Sequence, residues 1–158
     1  SSVETFPLGL ADKRGGVKLK IPSSGVDSGL ACIGTPLRFA EYHEVEVPVD
    51  TLDNILERKS ALRLDLLKID TEGCELFVLH GAEAGLRRFR PLVICEMHAP
   101  NTAQFGYHPS AVTEFMAGLG YEQTMISKDD ALFTAKEQIW AAEAFNAPVN
   151  NGVCHVCS

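Results

Sequence analysis

The stretch Leu66-Leu67-Lys68-Ile69-Asp70-Thr71-Glu72-Gly73-Cys74-Glu75 constrains this chain more than any other. An apolar run of strand length ends abruptly in two carboxylates, a glycine and a third carboxylate. In an α/β protein such a run reads as a parallel strand buried on both faces. The acids then fall at its carboxyl end, the edge of an open sheet where ligands bind. About twenty residues later the pattern returns: Pro91-Leu92-Val93-Ile94-Cys95 is apolar and Glu96-Met97-His98 follows. Two strands that deliver acids and an imidazole to one edge point to a site.

The surroundings of these strands supply a fold class. Val3 to Leu8 reads as a strand, Asp12 to Gly16 as a turn, and Val17 to Ile21 as an alternating strand. Pro22 to Pro36 is rich in Gly, Ser and Pro and reads as a loop. Tyr42 to Val49 alternates again. Asp50 or Thr51 then caps a helix with Leu52, Ile55 and Leu56 on one stripe. After the acid-tipped strand come two helical segments, Glu75 to His80 and Ala82 to Phe89, interrupted by Gly81 and stopped by Pro91. Pro109 suits a first helical position. Val112, Phe115, Met116 and Leu119 recur at helical spacing as a core stripe, with Gly120 as the stop. Tyr121 to Ser127 and Ala131 to Ala135 read as an antiparallel hairpin, and the tail from Lys136 as a short alanine-rich helix followed by polar residues. The whole is an α/β domain over residues 1–135 with a C-terminal tail, 136–158. Its expected architecture is a doubly wound, mostly parallel sheet closed by an antiparallel hairpin.

Composition excludes several functions. At 158 residues the chain fits one domain. Its net charge of −7 argues against nucleic acid, which needs a basic face. Arg87, Arg88 and Arg90 form the one dense basic cluster, and they close a helix whose macrodipole favours cations. No apolar run reaches the length of a membrane span and no signal peptide is visible. Five cysteines, with Cys32, Cys74 and Cys95 scattered among apolar neighbours, fit a reduced, cytoplasmic protein. Cys154-His155-Val156-Cys157 has a ligand-like gap, but a lone pair at a tail is a weak zinc signal.

The motifs resemble those of the FkbM family of methyltransferases. The resemblance is carried by Val49-Asp50-Thr51-Leu52-Asp53, by Lys68-Ile69-Asp70-Thr71-Glu72-Gly73-Cys74-Glu75, by Gly81-Ala82, and by Arg90-Pro91 with the strand ending Glu96-Met97-His98. It covers about Val3 to Ala135. It implies a Rossmann-like methyltransferase fold, S-adenosylmethionine as cofactor, and O-methylation of a hydroxyl on a polyketide, sugar or other small molecule. In this class the cofactor rests on a glycine-rich turn between the first strand and a helix, and an acid ending the second strand holds the ribose. Here Gly15-Gly16 is not followed by a helical pattern, and Gly25 to Gly34 sits in a loop. The sequence thus resembles the acceptor-side, carboxyl-terminal part of such a domain, lacking the first βαβ unit. The Leu66–Ile69 strand is then expected to present an open edge that a preceding segment, a second copy or a partner covers.

Methylating an alcohol requires its oxygen to lose a proton, with help from a general base or from a divalent cation that acidifies the hydroxyl. Asp70, Glu96 and His98 are the candidate catalytic residues, Glu72 the candidate substrate contact, and Asp70, Glu72 and Glu96 the candidate ligands for magnesium. Each has a plainer reading. Asp70 could cap the helix that begins near Gly73, and His98 could simply bond a loop. Glu75 reads as a first-turn helix acid, Asp50 and Asp53 as parts of a helix start, and His43, His80 and His108 as surface or capping groups. Two other classes compete: a metal-dependent hydrolase, which also gathers acids at strand ends, and a non-enzymatic remnant of the fold.

Overall fold

A computed structural model describes residues 3–23 and 31–136. The expected helix in the tail, and Cys154 and Cys157, lie outside the described residues, as does part of the Pro22 to Pro36 loop. The described elements are β1 (Gly9–Leu10), β2 (Gly15–Pro22), β3 (Tyr42–Asp50), α1 (Leu52–Arg58), β4 (Leu66–Ile69), α2 (Glu75–His80), α3 (Glu83–Phe89), β5 (Leu92–Glu96), α4 (Ala99–Ala103), α5 (Ser110–Gly118), β6 (Tyr121–Met125) and β7 (Asp130–Ala135). Two expectations need correcting here. Val3 to Leu8 forms no strand, and the parallel partner of β3 is the two-residue β1 beyond it. The helix α4 was not foreseen, although Pro100 in its first turn is a start signal.

The strands form two sheets, ordered β1-β3-β2 and β4-β5-β7-β6. In the second, β4 and β5 are parallel, whereas β7 is antiparallel to both β5 and β6. The protein is therefore α/β with mixed sheets, the coarser form of the doubly wound, mostly parallel expectation. A hairpin forces this mixture, because the short link between β6 and β7 must reverse the chain. Among the described residues β4 pairs with β5 alone and stands at the sheet edge.

The two central strands are less enclosed than their apolar composition suggests. Leu67, Ile69, Val93 and Cys95 are buried, while Lys68 and Leu92 are exposed and Ile94 is half-buried. One face of each strand packs into the core and the other is only partly covered, which corrects the reading of both as buried on both faces. The core joins Leu67, Ile69, Val93 and Cys95 to Val78, Leu79 and Leu86 of α2 and α3, to Val112 and Met116 of α5, and to Phe133 of β7.

The Val49–Asp53 segment ties the first sheet to the helices α2 and α3. Thr51 caps α1 through its hydroxyl, which accepts from the Asn54 N–H. Asp53 then caps a second helix, accepting from the Ala84 and Gly85 N–H groups at 2.9 and 2.7 Å. The Asp53 N–H donates to the Gly81 carbonyl and the Ala11 N–H to that of Asp50. Gly81 is the point of closest approach: a Cβ there would stand 2.0 Å from the Ala11 carbonyl oxygen. Buried Asp50 accepts from Asn54, from Arg58 at 2.6 Å and from the Thr51 N–H, and these bonds hold its carboxyl down at about 2.

Candidate functional site

The register Ile69↔Cys95 brings the ends of β4 and β5 side by side, so Asp70, just after β4, and Glu96, the last residue of β5, stand at the carboxyl ends of adjacent parallel strands. Strand alternation puts Lys68, Ile94 and Glu96 on the less covered face. The geometry then separates the candidate acids by environment. Asp70 is half exposed and paired to Lys68 at 2.6 Å. It does not cap a helix, since α2 begins after Cys74 with no side-chain cap. Glu72 lies in the left-handed region, φ 52°. Its Oε2 accepts from the Asn101 amide at 2.6 Å and its Oε1 stands 3.5 Å from Arg38.

Glu96 is different. Its Oε2 is enclosed without a hydrogen-bond partner among the described residues. Burial, then the negative charges of Asp70, Glu72 and Glu75, push its carboxyl up from 4.5 to about 7, while Arg38 pulls the other way. His98, two residues on, precedes α4 and has an enclosed Nδ1 that is likewise unpartnered among the described residues. The two groups with unmet polar capacity thus stand at and just beyond the end of one strand.

Glu75 lies in the first turn of α2, as its sequence position implies, but it is 1% exposed rather than solvated. Its Oε1 accepts from the Thr71 N–H at 3.1 Å, the Thr71 hydroxyl at 3.0 Å and the Gly73 N–H at 3.0 Å. Its Oε2 faces the Tyr107 hydroxyl at 3.2 Å. That hydroxyl also donates to the Gly73 carbonyl at 2.8 Å and accepts from the Leu76 N–H. Burial, reinforced by the Glu75 charge, drives the Tyr107 phenol far above its ordinary range. Gly73 itself has φ 109°, and a Cβ on it would come within 2.6 Å of the Asn101 carbonyl oxygen. Only glycine fits there.

A shallow cleft opens beside Glu72, between the segment holding Thr35, Arg38 and Phe39 and Asn101 of α4 with Gln104 at that helix's end. Arg38, Asn101 and Tyr107 were not singled out from sequence. Pro100 could have flagged the helix that carries Asn101, but nothing in the sequence links Tyr107 to Gly73. The remaining histidines take minor places. His43 is exposed, His80 ends α2 against the Phe115 ring, and His108 bonds Ser110 ahead of α5. Cys74 is buried and its thiol is pushed up to about 12, which makes it a poor nucleophile or ligand.

Among the described residues no three His, Cys, Asp or Glu side chains converge as a metal site. The magnesium expectation for Asp70, Glu72 and Glu96 therefore lacks support. Asp70 is engaged by Lys68, and Glu72 by Asn101 and Arg38, so of the three only Glu96 keeps an enclosed oxygen without a partner among the described residues. The described residues also hold no glycine-rich turn from a strand into a helix to cradle S-adenosylmethionine: Gly15 and Gly16 open β2, not a helix. No helix among them is long and apolar enough to cross a membrane. No curated protein and no solved structure matches the chain. The family model described as the methyltransferase FkbM domain matches residues 7–122, from before β1 into β6 and across every acid of the site, and the chain belongs to that family.

Proposed function

We propose that the chain is the acceptor-side portion of an S-adenosylmethionine-dependent O-methyltransferase that modifies a hydroxyl of a small molecule or sugar. S-adenosylmethionine, the methyl donor that the family implies, supplies a methyl group on a positively charged sulfonium. The chain's own part is to take the acceptor's proton. A base serves best when its pKa lies near the working pH, where it is ionised often enough to act yet still holds the proton it receives. Glu96 carries this reading: it ends a core strand, one of its oxygens is enclosed without a partner among the described residues, and its carboxyl titrates at about 7. Asp70, exposed and tied to Lys68, and Glu72, committed to Asn101 and Arg38, are poorer proton acceptors. Glu72 and Asn101 instead line the adjoining cleft, where they could orient an acceptor, and His98 is the second group able to move a proton.

The test is transfer of a labelled methyl group from S-adenosylmethionine to a panel of alcohols, sugars, amines and carbon nucleophiles, with the full protein that carries this chain. Products bearing the label on oxygen support the reading. Transfer only to nitrogen or carbon acceptors overturns it.

A further inference from the structure

We propose that Glu75 and Tyr107 are positioning residues: they clamp the Thr71–Gly73 turn and so fix where Asp70 and Glu72 stand relative to Glu96. This deepens the reading of Glu96 as the proton acceptor, and its kinetic arm rests on that reading.

The hydrogen bonds make the case. A first-turn acid that served only the helix dipole would sit in solvent and make none of these contacts. Glu75 is buried instead, and a buried carboxylate is tolerated only where donors surround it. Three donors from Thr71 and Gly73 meet one oxygen, and the Tyr107 hydroxyl faces the other. Both halves of Gly73's backbone are thereby taken, its N–H by Glu75 and its carbonyl by Tyr107. Glu72 lies between the clamped residues in a left-handed conformation, which a non-glycine residue keeps only where the surroundings impose it. The imposed turn aims Glu72 at Asn101 and Arg38. Tyr107 comes from the segment between α4 and α5, more than thirty residues downstream of the turn it holds, and its ring meets Phe77 edge to face.

Glu96 then sits in a field whose sources are fixed. Asp70 acts from the end of β4, Glu72 from the turn and Glu75 from α2, with Arg38 opposing them. Asp130 lies across from it in register on β7, and His98 follows two residues on. Support of this kind around a reacting group sets both its geometry and its proton affinity.

Tyr107→Phe removes the clamping hydroxyl without changing any charge at neutral pH, and Thr71→Val removes one donor to Glu75 while keeping the backbone bond. The Glu96 carboxyl is titrated in each folded variant by carbon-13 NMR of labelled glutamate, and kcat/KM of the full protein is followed against pH. In Tyr107→Phe the Glu96 midpoint should fall by about one pH unit as Glu72 drifts from its place. The acidic limb of kcat/KM should move with it, and kcat/KM should drop roughly tenfold or more. Thr71→Val should move both in the same direction by less, and it carries the test if Tyr107→Phe fails to fold. A lowered melting temperature with the Glu96 midpoint unchanged in the folded variants overturns the inference, because Glu75 and Tyr107 would then serve stability alone. Full turnover in Glu96→Gln would instead sink the proton-acceptor reading, and the NMR midpoints would still decide the positioning.

Discussion

Replacing Glu96 by Gln should change the pH dependence of stability in a direction opposite to most carboxylate substitutions. In the folded chain the Glu96 carboxyl keeps its proton up to about 7, against an ordinary 4.5. Between those values the folded state binds more protons than the unfolded one, so this group makes the protein less stable as pH rises through the window. The full shift sets an upper limit of roughly 3 kcal/mol at pH values above 7. Solvent reaches part of the site, and screening reduces this to the order of 1–2 kcal/mol. Glutamine carries no charge at either end of the window and escapes the penalty. The variant and the parent should therefore be about equally stable near pH 4, with Glu96→Gln more stable by about 1–2 kcal/mol near pH 8, a rise in melting temperature of roughly 2–8 °C. Urea denaturation across this range measures the difference directly, with the m-value as a check that both chains unfold alike. A difference that stays flat with pH, or a parent that gains stability relative to the variant as pH rises, would refute the reasoning.

Asp50 should behave in the opposite sense. Its carboxyl is held at about 2 by Asn54, Arg58 and the Thr51 N–H, so its contribution is present above about 4 and lost as pH falls toward 2; the melting temperatures of Asp50→Asn and the parent should converge on acidification, and a constant gap would contradict this. Gly81→Ala forces a Cβ against the Ala11 carbonyl and should cost about 1–3 kcal/mol, read as a loss of several degrees in melting temperature; a variant that melts with the parent would show that the two backbones separate freely. The 158-residue chain should bind S-adenosylmethionine more weakly than micromolar, because the described residues lack the glycine turn that cradles it. Calorimetric binding at about −8 kcal/mol would contradict that expectation.

The sequence was most readable where local chemistry and periodicity agreed. Thr51 before an apolar stripe, Gly81 between two helical patterns and Gly120 at a helix end each fall where their residue type predicts. The adjacency of Asp70 and Glu96 was also legible, since two apolar runs separated by helices imply parallel neighbours. Burial was not. Leu66-Leu67-Lys68-Ile69 and Leu92-Val93-Ile94-Cys95 are apolar enough for two buried faces, yet Lys68 and Leu92 are exposed, because what covers a sheet depends on tertiary packing. The ranking of the acids was equally hidden. Asp70, Glu72, Glu75 and Glu96 carry the same functional group, and much of what separates the last three comes from afar: Tyr107 for Glu75, Asn101 and Arg38 for Glu72, none among the described residues for the enclosed oxygen of Glu96. Magnesium was a fair expectation from three acids near two strand ends, and it lost support once those partners were known.

The account turns on Glu96 accepting the acceptor's proton, and the pH profile of kcat/KM for methyl transfer by the full protein tests this most directly. The parent should show an acidic limb with an apparent pKa of about 7. Folded Glu96→Gln should lose that limb together with ~10²–10⁴ of the rate, while its affinity for S-adenosylmethionine changes little. A Glu96→Gln variant that turns over at the parent's rate with the same limb would contradict the central claim.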